Sequence, residues 1–356
     1  MNAKIIPLLP EQFGNQTQKI YSEGELSAET FLYSTGVAGL RLSNSNGAIE
    51  LLPFKGQQVW RAEFGAHPFT MKSQTPEPYL VNNGFEDGYG AFMIHCGLRA
   101  MGNPTAEDTH PQHGEIPYIA YETAALVCGE DEGGRYLALT GTVEHSEAGK
   151  ADYSFSPECK LYENAYGIET TVTVKNLSDI PLEYFYLCHI NWRPIDGAKL
   201  ISPIKADTVL VHKEVPENLD PEVEKRWNEY TDKLQADLSE MDCVGAPGQC
   251  YDPEVVCTFR CNSDIDGWAR TAQMLPDGWA HIVMHRPDEL DMGVRWVCRD
   301  AILDAMGMLL PATAEHRGYK YCKERGQEKY LAPGDTKLIH LRVGILPPHE
   351  AEDLVK

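Results

Sequence analysis

Ile168-Glu169-Thr170-Thr171-Val172-Thr173-Val174-Lys175 is followed by Asn176-Leu177-Ser178-Asp179, then by Leu182-Glu183-Tyr184-Phe185-Tyr186-Leu187-Cys188-His189-Ile190. In the first run Ile168, Thr170, Val172 and Val174 recur at every second position, the period that sets one face of a β-strand. Asn-Leu-Ser-Asp is turn chemistry, because short polar side chains hydrogen-bond their own backbone. The second run is apolar and aromatic, and it delivers His189 at its end, ahead of Asn191-Trp192-Arg193-Pro194. A strand, a turn and a strand set the class as β.

The same rhythm extends in both directions. Upstream, Asn46-Gly47 marks a tight hairpin between Phe31 and Glu50. Strands are expected over 48–53, 57–64, 91–96, 118–127 and 135–144. Downstream they are expected over 255–261, 269–275, 279–284, 292–298, 306–311 and 337–346, separated by signals such as Asp266-Gly267 and Pro276-Asp277-Gly278. One amphipathic helix interrupts them. Val223, Trp227, Tyr230, Leu234 and Leu238 form a stripe, Pro221 suits a first turn, and Asp220 a cap. Ten acidic and three basic residues lie between Glu214 and Asp242, so the outer face of that helix is a solvated one. About fifteen strands and one helix predict a large antiparallel sandwich. The chain is expected to be one domain over 1–356, with 1–30 as an N-terminal extension and 214–244 as an acidic insertion, helical over 216–242.

Composition limits the function. Thirty-one basic and 53 acidic residues give a formal charge of -22. That opposes binding to nucleic-acid phosphates or to an anionic membrane surface. No secretory signal and no spanning apolar run stand out, so a cytoplasmic, soluble protein is expected. Among the ten cysteines, Cys243, Cys250, Cys257 and Cys261 match no paired zinc-ligand spacing.

Two stretches are too rich in Gly and Pro for regular structure, 71–89 and 97–117. The second carries Arg99, Asn103, Asp108, His110, His113 and Glu115. Loops on a rigid scaffold often hold function. Imidazoles titrate near neutrality and suit proton transfer. Other clusters are His189 with Asn191 and Arg193, His285-Arg286-Pro287-Asp288 with Arg295, and Thr313-Ala314-Glu315-His316-Arg317. Asp108, His110, His113 and Glu115 are also plausible ligands for a divalent metal, although their spacing matches no standard signature. There is no Gly-x-Ser-x-Gly elbow, no dinucleotide fingerprint and no phosphate loop. Of the tryptophans, Trp192 is the one expected outside the core, the others packing within it.

Arg99-Ala100-Met101-Gly102, His113-Gly114, Asn176-Leu177 leading to His189, and Leu331-Ala332-Pro333-Gly334-Asp335 resemble the galactose mutarotase-like proteins (aldose 1-epimerases). Gly102 to Pro111, His189-Ile190-Asn191, His285-Arg286-Pro287, Gly293-Val294-Arg295-Trp296 and Leu310 to Glu315 are similar to a branch of aldose-1-epimerase-like proteins of unknown function. The resemblance spans about residues 35 to 345. It implies a galactose mutarotase-like β-supersandwich binding a monosaccharide or simple sugar derivative, and cofactor-free interconversion of sugar anomers. It further implies His189 as general acid, His113 as a sugar-positioning group and Arg99 on the ring-oxygen side. Asn103, His110, Glu115, Asn191, Arg193, His285 and Arg295 are expected around the substrate. Where the better-known branch carries its carboxylate base, this chain has Leu309 or Leu310. Glu315 is then the nearest carboxylate, with Asp108, Glu115 and Asp291 as other bases. Lys72, Arg99, Arg193, Arg286 and Arg295 leave room for an anionic group on the sugar. Two other readings are a metal-dependent sugar isomerase or epimerase using His110, His113 and Glu115, and a non-catalytic carbohydrate-binding or sensing protein.

Overall fold

The computed structural model describes residues 3–214 and 219–355. Among them, strands form two antiparallel sheets, one of ten strands and one of thirteen. The run that opens the sequence argument divides between them. Gly167–Asn176 lies in the ten-stranded sheet, paired with Ala151–Tyr162 and Thr336–Leu346. Leu182–Ile190 lies in the thirteen-stranded sheet, between Met93–Leu98 and Asp304–Ala312. The turn at Asn176 is therefore a corner between layers rather than a hairpin. Buried Asn176 holds it, with Nδ2 donating to Ile180 O (2.7 Å) and Leu331 O (3.0 Å) and Oδ1 accepting from Ser178 N (3.0 Å). The physical reason is visible in the two burial patterns. Gly167–Asn176 alternates and has one solvated face, whereas Leu182–Ile190 is buried on both faces almost throughout.

Between the layers, side chains interdigitate across the sandwich. Phe155 of the ten-stranded sheet meets Tyr186 (ring centroids 6.4 Å apart) and His95 (5.8 Å) of the other, and the Tyr186 hydroxyl lies 2.7 Å from His95 Nδ1. Tyr186 facing inward turns Leu187 and His189 outward, away from the other sheet. That outer face is covered by the 71–92 and 99–117 loops, which explains its burial.

The N-terminal residues are not an appendage. Lys4–Leu8 pairs with Ala124–Asp131 in one sheet, while Gln18–Glu23 and Leu26–Leu32 extend the edge of the other. The helix forms over Pro221–Ala236, with the Asp220 side chain accepting from Glu222 N (2.9 Å) and Val223 N (3.3 Å). It buries Trp227, Tyr230 and Leu234, as the stripe requires, and part of the predicted 216–242 span lies outside the described residues. Trp227 Nε1 donates to Glu254 O (3.1 Å), and the Tyr230 and Tyr251 hydroxyls are 2.7 Å apart. The acidic insertion thus braces the segment that enters the Val255–Phe259 strand. No helix among the described residues is long and apolar enough to cross a membrane.

Candidate active site

A cleft of about 420 Å³ opens on the outer face of the thirteen-stranded sheet. Its floor comes from four adjacent strands: Leu187 and His189, then Leu310, then Val294 and Trp296, then Val256 with Glu254 just before it. The 71–92 loop contributes Ser73, Gln74, Thr75, Phe85, Glu86 and Tyr89. The 99–117 loop contributes Asn103, Gln112 and His113, and Asp300, Ile302, Leu303 and His316 complete the wall. Gln112 Nε2 donates to both Glu86 Oε1 (3.2 Å) and Asn103 Oδ1 (3.0 Å), tying the two loops together.

His189 is oriented by a buried amide. Its Nδ1 lies 2.8 Å from Asn191 Oδ1, which also accepts from the Tyr89 hydroxyl (2.7 Å). Asn191 Nδ2 donates to Ala91 O (2.9 Å), so the amide oxygen, an acceptor, is the atom that faces the imidazole. His189 therefore carries a proton on Nδ1, and Nε2 is the nitrogen left to exchange one. Burial pushes its pKa down to about 4, with the bond to Asn191 opposing.

His113 packs against it, ring centroids 5.2 Å apart at 85°, with Phe85 on His113 at 4.4 Å. The backbone of His113 is left-handed (φ 61°), a strained conformation for a residue with a side chain, and Gly114 follows at φ 83°. A Cβ at Gly114 would stand 2.3 Å from both Ala100 O and Gly97 O. The His-Gly pair is thus what lets the loop close against Gly97 and present the imidazole. Burial, with His189, His316 and His110 nearby, holds the His113 pKa well below the usual imidazole value.

Trp296 joins the acid and base candidates. Its indole lies 5.6 Å from the His189 ring, and its Nε1 donates to Glu254 Oε2 at 2.5 Å. Desolvation by the cleft wall raises the Glu254 pKa, the Trp296 bond opposes, and nearby Glu86 adds to the rise. The carboxylate still reaches solvent along the open cleft. His316 stands over His212 (centroids 4.7 Å apart, 90°) and has a buried Nδ1 with no hydrogen-bond partner.

Several sequence expectations are corrected here. Glu315 is one residue from the cleft and turned away from it. It accepts from Gln327 Nε2 (2.8 Å) and the Tyr321 hydroxyl (3.1 Å), and His212 Nε2 lies 3.6 Å away. Arg295 alternates with Val294 and Trp296, so it points inward, donating to Met308 O (2.9 Å) and Ser202 Oγ (2.6 Å) across a β-bulge. Arg99 donates to Glu183 O (2.6 Å), and Glu115 accepts from Leu98 N and Arg99 N (both 3.1 Å) and from the Tyr153 hydroxyl, so both shape the loop from behind. His110 Nε2 accepts from Tyr319 N (3.2 Å), and Asp108 accepts from Thr105 N (2.9 Å) and Lys320 N (3.0 Å). Asp108 and His110 lie 3.8 Å apart against the 319–320 backbone, Glu115 holds the 98–99 backbone and His113 enters the cleft, so the four do not converge. Among the described residues no group of three or more His, Cys, Asp or Glu is placed to hold a metal. Asp291 pairs with Arg260 (2.9 Å) and Lys329 (3.0 Å), outside the cleft. Arg193 sits beside Asp304 (3.6 Å) in a separate depression, and His285 is buried in the other sheet. Trp192 is core, stacked on His281 at 4.8 Å, and Trp296 is the indole that lines the cleft.

Of the named candidates, His113, His189, Asn103 and His316 line the cleft and Asn191 supports it. Glu254, Glu86, Tyr89, Phe85 and Gln112 were not singled out from the sequence. Period-two counting from Val256 back to Glu254, and from Val294 to Trp296, is the signal that finds two of the groups on the floor.

The family model "Domain of unknown function (DUF4432)" matches residues 34–345. The chain belongs to the DUF4432 family. No curated protein matches the sequence. Among solved structures, a presumed aldose 1-epimerase from Klebsiella pneumoniae superposes with a TM-score of 0.82 at 18% identity, covering 99% of this chain and 94% of that one. A galactose mutarotase-like protein from Clostridium acetobutylicum gives 0.60 at 13% identity, covering 90% and 99%. One from Lactobacillus casei gives 0.54 at 14%, covering 86% and 100%. At these identities the likeness is one of fold, and this DUF4432 chain has the galactose mutarotase-like β-sandwich.

Proposed function

We propose that this DUF4432 protein interconverts the anomers of a free sugar, with His189 as general acid and Glu254 as general base. The observation that carries the reading is the shared indole: Trp296 packs on His189 and donates to Glu254, which sets an imidazole and a carboxylate over one floor. Opposed acid and base groups within reach of one sugar carbon are what the chemistry needs. The fold of the structural neighbours supports the same reading.

In the proposed step, Nε2 of the His189 imidazolium gives its proton to the ring oxygen. Glu254 takes the proton of the anomeric hydroxyl, and the C1–O bond to the ring breaks with its electron pair going to the ring oxygen. The open aldehyde turns about C1–C2 and recloses, and both protons return. His113 contributes a neutral imidazole to sugar hydroxyls. Trp296, Phe85 and Tyr89 offer aromatic surface to the apolar faces of the ring.

The test is the relaxation of freshly dissolved α-anomers of several aldoses, followed by polarimetry or NMR. The wild-type protein is expected to accelerate at least one aldose above buffer, and Glu254→Gln and His189→Ala to abolish the gain. No acceleration for any aldose overturns the proposal.

A further inference from the structure

This inference rests on the sugar-cleft reading and concerns which sugars the cleft accepts. Glu86, Glu254 and Asp300 line it, and among the described residues no lysine or arginine does. Its three imidazoles, His113, His189 and His316, supply no compensating charge at neutral pH, because burial keeps all three deprotonated.

Each cation that the sequence offered for an anionic substituent is placed elsewhere. Lys72 and Arg193 line a separate depression, which meets the cleft only along the 300–303 segment. Arg99 is bound to Glu183 O, Arg286 covers the Trp268 ring at 4.6 Å, and Arg295 is fully buried. Recognition of phosphate, sulfonate or carboxylate draws on guanidinium or ammonium donors, and this lining has none. The cleft lining also carries an unsatisfied polar atom. His113 is only 7% exposed and lines the cleft, yet its Nδ1 has no hydrogen-bond partner.

We infer that the cleft selects by charge: it takes uncharged and amino-bearing aldoses and rejects phosphorylated, sulfonated and uronic ones. These carboxylates, hydrogen-bonded to neutral donors but facing no cation in the lining, act as a screen against anions. A protonated amine relieves the mutual repulsion of Glu86 and Glu254, which a neutral hydroxyl leaves in place.

The test is equilibrium binding of matched sugars to the full-length protein by ligand-observed NMR or calorimetry. The probes are D-glucosamine, D-glucose, D-glucose 6-phosphate and D-glucuronic acid, with the galacto series in parallel, at a pH where the amine is protonated. In the series that binds, the amino sugar is expected to bind at least as well as its neutral twin. Like-charge contact against partly exposed carboxylates is expected to weaken the anionic twins by about tenfold or more. Added salt narrows the gap, as does Glu86→Gln, which removes one screening charge outside the acid–base pair. An anionic sugar that binds as tightly as its neutral twin overturns the inference and leaves mutarotation standing. Neutral sugars that bind in the expected order without anomer exchange overturn mutarotation and support the inference. No binding by any member overturns both.

Discussion

Exchanging Asn191 for aspartate changes one atom type at the point where His189 is oriented. In the native site Asn191 Oδ1 accepts from His189 Nδ1 at 2.8 Å and from the Tyr89 hydroxyl at 2.7 Å, while Nδ2 donates to Ala91 O at 2.9 Å. Aspartate keeps both accepted bonds and adds a full negative charge beside the imidazole. Two unit charges about 4 Å apart interact by about 4 kcal/mol at an effective dielectric constant of about 20, and an opposite charge at this range moves a pKa by about 1–3 units. The His189 pKa, held down to about 4 by burial, is therefore expected to rise to between about 5 and 7. The lost donor leaves the Ala91 carbonyl unpaired, at a cost of about 1–3 kcal/mol, which a folded domain survives.

The kinetic consequence follows from the proposed roles. The reactive pair needs one proton shared between His189 and Glu254, so its apparent values belong to the pair. Above both values the rate is expected to fall about tenfold per pH unit, and the wild-type protein is fastest on the acid side of neutrality. In Asn191→Asp that alkaline limb moves up by the same interval as the imidazole. The assay is NMR titration of the His189 ring alongside kcat/KM against pH. An imidazole that moves while the limb stays fixed refutes His189 as the acid. An unmoved imidazole refutes the orientation by Asn191.

Two further outcomes separate site from support. Glu254→Gln is expected to lower kcat by about 10²–10⁴-fold with little change in melting temperature, since the side chain reaches solvent and makes one polar contact. Glu315→Gln is expected to do the reverse: turnover is kept, and about 1–3 kcal/mol of stability is lost because the Gln327 amide then meets another amide. His95, His281 and His285 are each 1% exposed, with pKa values pushed by burial from 6.5 to about 4, about 3 and about 4. Their unfolded forms bind protons first, so stability is full above about 6.5 and is lost as pH falls toward 4, by up to about 1.4 kcal/mol per pH unit for each ring. Thermal melts between those values check the slope, and a melting temperature that rises on acidification contradicts it.

Much of the scaffold was legible because strand formation and helix stripes are local. Leu182–Ile190, Ala269–Met274 and Asp220 as helix cap follow from alternation, turn residues and a polar side chain ahead of Pro221. His189 and His113 were also legible, one at the end of an apolar strand and the other beside a glycine in a dense loop. The base was not. Glu315 is closer in sequence to the strand beside His189, but it follows the end of that strand at Ala312 and is held by Gln327 through both its backbone and its carboxylate. Glu254 is remote in sequence and enters because its strand lies three places from that of His189 in the sheet order.

By itself, the sequence determined the β class, the helix and the two covering loops, since each depends on periodicity or backbone chemistry within a few residues. Only the tertiary structure decided which side chains share the cleft. Sheet order brings Glu254 and Trp296 to His189, and contacts with the 321–327 segment turn Glu315 away from the cleft. Both are set by the packing of distant segments, which no local pattern encodes.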